Sequence, residues 1–267
     1  MMMGSYAASL QTSKSAKNSK AVSVSQVATP QVAIGLTTLD ISNQASYWGI
    51  RTAAYVDNIS SNQFTIHIDT WADTTLYNAA ASWWALAADD PYFQIGVFDS
   101  QDVRPWEKPG NVIHRVNFPR TFESQPKVVV GIKQFDIGDN WRLRVYATDI
   151  DTKGFTIHAI AWGSTVLTSV QATWIAFPAN KDGVWSGSFS SDRPGNFSGQ
   201  ANFGITFSKT PSVFMALTEF DISHDDNLRV RLEVDSVTTS SLSWCISTWE
   251  DETMLHMVGG MYVALEM

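Results

Sequence analysis

The chain has 267 residues, 44% of them hydrophobic and only 16% charged, with a formal net charge of −8. That balance is globular, too rich in Trp and Phe for disorder, and with no Lys or Arg stripe it gives no electrostatic case for nucleic acid or an anionic membrane surface. The single cysteine, Cys245, excludes an intrachain disulfide and a cysteine-based zinc site.

Taken in chain order, Met1 to Leu10 lacks a basic segment followed by an apolar core. No stretch approaches the roughly 18 apolar residues of a membrane helix. The expectation is a cytoplasmic or unconventionally secreted protein with no membrane insertion. Strand signals follow throughout: short runs of Val, Ile, Thr, Phe and Trp alternate with a period of two between Gly, Asn, Asp and Ser. A Gly-containing strand opens the chain at Met2 to Tyr6 and recurs at Tyr92 to Phe98 and Val184 to Phe189. Each is followed by a long polar loop, the first including Gln11 to Lys20.

Three stretches then share one ruler: Pro30, Asp40, Arg51, Trp71, Trp83; Pro126, Asp136, Arg144, Trp162, Trp174; and Pro211, Asp221, Arg229, Trp249, Met261. Pro to Asp is ten residues in each copy, and Trp to the last position is twelve. One supersecondary unit has been used three times, which divides the chain into tandem units at 1–90, 91–180 and 181–267. About six short strands per unit predict an all-β fold of three six-stranded antiparallel sandwiches. Their short joins, Ala87 to Pro91 and Pro178 to Gly183, suit packing about a pseudo-threefold axis, as an intramolecular trimer or a unit of a homo-oligomer.

The alternation Leu228, Val230, Leu232 against Arg229 and Arg231 puts the arginines on the polar face of a half-buried strand. There an arginine either engages two hydroxyls of a ligand with its planar fork or pairs with an acid on a neighbouring strand. Trp83 and Trp174 suit a core or interface, while Trp71, Trp162 and Trp249 stand between core and ligand platform. Asp225-Asp226 and Glu250-Asp251-Glu252 lack the alternating spacing of a calcium loop, and the five histidines lack zinc spacing. His67 and His158 fall at one repeat position and suit a half-buried structural role. Nucleophile elbow, phosphate loop and HExxH are absent, so neither catalysis nor a metal or other cofactor is expected.

Phe220-Asp221-Ile222, Asn227-Leu228-Arg229-Val230 and Thr248-Trp249 resemble the H-type lectin domain, the family of snail agglutinins and the discoidin C-terminal domain. Phe135-Asp136-Ile137, Arg142-Leu143-Arg144-Val145 and Ala161-Trp162 repeat the pattern. Leu39-Asp40-Ile41, Ile50-Arg51 and Thr70-Trp71 follow it more loosely. The resemblance implies a trimeric sandwich that binds galactose or N-acetylgalactosamine without metal. Its site is built from the strand Arg, the residue after the Trp, an aromatic six beyond the Trp and an acid in the first long loop. Arg51, Arg144 and Arg229 carry the first role. Ala72, Gly163 and Glu250 stand after the Trp; Tyr77, Thr168 and Leu255 stand six beyond it; Ser15, Glu107 and Asn196 take the loop position. No unit keeps the whole set. The resemblance implies a multivalent, agglutinin-like lectin at Arg144, Glu107, Trp162, Arg229, Asn196, Trp249, Glu250, Arg51, Trp71 and Tyr77. The alternative is a sandwich interaction or structural module that has lost sugar binding.

Overall fold

The computed structural model describes residues 1–14, 16–26, 28–45, 49–192, 195–250 and 253–267, leaving aside the side chains of 9–14. Unit 1 runs β1 (Met2–Lys14), β2 (Lys17–Ser23), β3 (Pro30–Ile41), β4 (Ile50–Asp57), β5 (Gln63–Asp69) and β6 (Thr75–Ala87). Unit 2 runs β7 (Gln94–Asp99), β8 (Val112–Asn117), β9 (Pro126–Gly138), β10 (Trp141–Thr148), β11 (Gly154–Ile160) and β12 (Val166–Pro178). Unit 3 runs β13 (Val184–Ser191), β14 (Phe197–Asn202), β15 (Ser212–Ile222), β16 (Leu228–Val237), β17 (Ser241–Ser247) and β18 (Leu255–Leu265). The expected six strands per unit are present. The stretch 11–20, expected as a polar loop, is instead strand on both sides of residue 15, and Ser15 lies outside the described residues.

No sheet belongs to one unit. The three six-stranded sheets are β1-β6-β3-β16-β17-β14, β2-β5-β4-β9-β12-β7 and β13-β18-β15-β10-β11-β8. Each joins three strands of one unit to three of the next, so every sandwich is a pair of half-sheets that continue into both neighbours. Every pairing is antiparallel, and each seam is short: Ile50–Ala53 against Gln134–Ile137, Trp141–Arg144 against Glu219–Ile222, and Leu228–Arg231 against Thr38–Ile41.

Alternation explains both cores. Phe64, Ile66 and Ile68 of β5, and Phe155 and Ile157 of β11, point between the half-sheets into the sandwich interiors. The last strand of each unit is buried on both faces where it crosses the centre. Trp84, Ile175 and Val263 therefore meet Phe93, Phe177 and Phe214 in a second core on the axis. Trp83 and Trp174 are buried, as expected, and each lies across a facing glycine, Gly4 and Gly96. A Cβ there would fall 2.6 and 2.3 Å from the indoles, which leaves glycine the residue that fits.

In unit 3 the residue opposite the glycine is Tyr262, over Gly187, rather than Met261. The twelve-residue spacing is therefore thirteen in structural terms there, because the turn after Trp249 is one residue longer. Met261 turns to the axis instead, beside Gly131.

Candidate functional site

The Asp, Arg and Trp of the repeat meet, but across the seams. Arg51 of β4 stands opposite Asp136 of β9, Arg142 of β10 opposite Asp221 of β15, and Arg229 of β16 opposite Asp40 of β3. Their Nε to carboxylate distances are 3.3, 3.2 and 3.5 Å. The Trp that ends the next strand donates its indole N–H to the same carboxylate. Trp162 reaches Asp221 at 3.2 Å, and Trp71 and Trp249 bond Asp136 and Asp40. Each Asp is thus gripped by two side chains of the neighbouring unit.

The strand position of Arg51 and Arg229 is therefore filled in unit 2 by Arg142, not Arg144. The hairpin from β9 to β10 is two residues shorter than its counterpart in unit 3, so counting forward from the Asp overshoots. Counting back from the Trp finds the right residue, since 51 to 71, 142 to 162 and 229 to 249 are each twenty. Arg144 is one outward position further along, paired with Glu219, with its guanidinium 5.8 Å from the Trp162 ring centre. Arg231 stands likewise 5.1 Å over Trp249. Unit 1 has Ala53 at that position, which gives the Trp71 ring no arginine lid from that strand.

The three seams differ in what surrounds the grip. Between units 1 and 2 lies a cleft of about 820 Å³ lined by Arg51, Trp71 and Asp136 on one side and Trp106, Glu107 and Thr168 on the other. Arg51 also reaches Asp73 at 3.0 Å through Nη1. Trp106 is 57% exposed, a large apolar ring held at the rim of a polar cleft. Between units 2 and 3 the cleft is about 350 Å³, lined by Trp162, Arg144, Asp221 and Met257. Between units 3 and 1 the guanidinium of Arg229 is buried, with Glu250 at 3.0 Å and the Thr253 hydroxyl at 3.4 Å. There the residue after the Trp has become an internal occupant of its own arginine.

That residue has a left-handed backbone in all three copies, φ 54° at Ala72 and 63° at Gly163 and Glu250. A Cβ at Gly163 would stand 3.0 Å from Arg142, so glycine lets the turn close on the guanidinium.

The remaining expected residues fall out of place in an informative way. Glu107 faces Arg51, not the arginine of its own unit. Asn196 accepts from the Thr248 backbone N–H at 2.7 Å, as Asn111 does from Ala161, so it braces two strands of its own unit. Tyr77, Thr168 and His256 occupy the same bulge in the last strand of each unit, so His256 rather than Leu255 completes that set. Since Thr168 lines the cleft of the preceding unit's arginine, Tyr77 belongs with Arg229. Trp106 was missed, although a Trp between Pro105 and Pro109 in a polar loop is a visible signal. Asp251 and Glu252 lie outside the described residues, among which no cluster suited to a metal ion is found.

Burial pushes the Asp136 and Asp40 carboxyls above the usual carboxylate range, outweighing the lowering by Arg51 and Arg229. A carboxyl with a raised folded pKa lends stability that is fully present below its unfolded pKa and is lost as the pH rises through the raised value. Asp136→Asn is therefore expected to gain on the wild type in melting temperature as the pH goes from about 4 to about 7. A difference that moved the other way would show that the Arg51 ion pair outweighs burial.

A family model described as the H-type lectin domain matches the chain three times, at residues 25–86, 113–177 and 198–265. A protein of Fuscovulum blasticum described as "ATP synthase subunits region ORF 7" is 35% identical over 69 residues, which is 25% of this chain and 60% of that protein. No solved structure matches the chain.

Proposed function

The chain belongs to the H-type lectin domain family of carbohydrate-binding domains, and on that premise we propose that it binds galactose- or N-acetylgalactosamine-type glycans without catalysis, chiefly in the cleft between units 1 and 2. The observation that carries this is the Arg51 fork, fixed by Asp136 and Asp73 beside the half-buried Trp71 ring, in one cleft with Glu107 and the exposed Trp106. A guanidinium donates to two vicinal hydroxyls at once, a carboxylate accepts from a third, and an indole covers the apolar C–H face of the ring. The smaller Trp162 cleft supplies a second, weaker site. Weak sites on one rigid body gain avidity on clustered glycans, which is the use of a multivalent lectin at a cell surface.

A glycan array read beside monosaccharide titrations tests the proposal. Galactose-type ligands should lead the array, and their absence would favour a module that has lost sugar binding. That second reading has one observation behind it, the carboxylate of Glu250 seated on Arg229. Because Glu250 is exposed, Glu250→Ala should cost little stability. It is expected to raise the number of sugars bound per chain, measured by calorimetric stoichiometry. An unchanged stoichiometry would mean that the third seam is no site even when open.

A further inference from the structure

Beyond the seams of units 2 and 3 and of units 3 and 1 the two joined strands diverge, and the first residues of a Pro–Asp strand, β9 and β15 respectively, show through the gap. Between units 2 and 3 this makes a crevice of about 610 Å³. Its wall is hydroxylic, from Ser186, Ser188 and Ser190 of β13 and Thr218 of β15, and its floor is apolar, including Val128 and Ile150. Between units 3 and 1 the same gap, of about 650 Å³, is lined by Ser5, Thr37 and Ser212 among others. At the matching bulge position between units 1 and 2 stands Lys133, buried, with its charge near Asp99 of β7. Thr37 and Thr218 line their gaps at the position where unit 2 carries the longer side chain of Lys133.

The crevice of units 2 and 3 is not isolated. Arg144 and Tyr146 line both it and the Trp162 cleft, and Glu219 and Asp221 are successive outward residues of β15 along the same line. The two hollows therefore lie in series on one sheet face, separated by the Arg144–Glu219 ion pair. Each falls within the range of about 300 to 1,000 Å³ of pockets that hold small ligands.

We propose that this crevice is an extended subsite for the inner residues of an oligosaccharide whose terminal residue occupies the Trp162 cleft. The inference rests on the reading of the protein as a glycan binder and adds a length preference to one of its three seams. The lining chooses the ligand class. A hydroxyl wall over an apolar floor matches the two faces of a pyranose ring, whereas a charged ligand would find Arg144 paired with Glu219 and the Lys127 ammonium, the other cation of the lining, seated 3.8 Å over the Trp185 ring. At the third seam the equivalent crevice adjoins an arginine closed by Glu250, so a bound chain would have no terminal anchor there.

Calorimetric titration of the full chain with galactose and with galactose-terminated di-, tri- and tetrasaccharides tests this. The wild type should bind the trisaccharide on the order of tenfold more tightly than galactose. Thr218→Lys, which places at this bulge the residue that unit 2 carries at the matching position, Lys133, should remove that gain while leaving the affinity for galactose unchanged. Ser188→Trp, on the exposed edge strand β13, should do the same if the buried lysine prevents folding. A gain from length that survives both variants would come from another seam and overturn the proposal. So would galactose and the trisaccharide binding equally to the wild type. If neither galactose nor any of the oligosaccharides binds, it is the glycan-binding reading that fails, and the subsite with it.

Discussion

Arg51→Ala is expected to lower affinity for galactose-type ligands on the order of tenfold to a hundredfold, the size of one or two lost charge-assisted hydrogen bonds. Among the described residues of the cleft no other cation can substitute, since Lys17 is engaged with Asp69 at 3.0 Å and the remaining donors are neutral. Arg51→Lys keeps the charge but loses the fork and the Nε–H that meets Asp136, so most of the loss should remain. Removing the guanidinium takes away the main influence that lowers the Asp136 carboxyl and leaves it half-buried beside the Trp71 indole, so the melting temperature of the variant is measured beside its affinity. Glu107→Gln, on an exposed loop across the cleft, gives an independent check and should weaken binding without altering the melting temperature. Titration calorimetry on all three variants decides the matter. Affinity within about twofold of wild type for Arg51→Ala would move the principal site to another seam.

Strand content, the count of six per unit and the inward faces were legible because each is a local property of period-two alternation. Leu143 and Val145 pointed inward as their neighbours required, whatever the register. The site was legible in kind but not in assignment, for two physical reasons. Position along the chain equals position in space only while turn lengths agree. The hairpin before β10 is short and the turn before β18 is long, which displaced Arg144 for Arg142, Leu255 for His256 and Met261 for Tyr262. The second reason is that the seams are made by neighbours. A unit taken alone pairs Arg144 with Glu107, whereas the fold hands Glu107 to Arg51 of the preceding unit. Only the closed threefold arrangement says which half-site faces which.

That arrangement makes its own prediction, and the largest effect on stability is expected at its centre. Gly35, Gly131 and Ala216 are each five residues past the Pro of their unit, and they converge on the axis. A Cβ at Gly35 would lie 2.4 Å from the Ala216 methyl, and one at Gly131 would lie 2.6 Å from it. The axis thus has room for one methyl group and holds one. Around it the inner hydroxyls hand hydrogen bonds from unit to unit, Ser82 to the Met215 carbonyl and Thr173 to the Ile34 carbonyl at 2.6 Å, while Met261 takes the third place with its side chain. Gly35→Ala should therefore destabilise by about 1 to 3 kcal/mol, because strands from three units cannot retreat from an overpacked point without opening the sheets. Adding Ala216→Gly moves the single methyl from one unit to another. If the centre is threefold in packing as well as in sequence, the double variant should recover most of the loss, with a coupling free energy of about 1 kcal/mol or more. Equilibrium unfolding of the two single variants and the double variant measures it. Strict additivity would mean that the three positions do not share one space, and the closed packing of the units would fail with it.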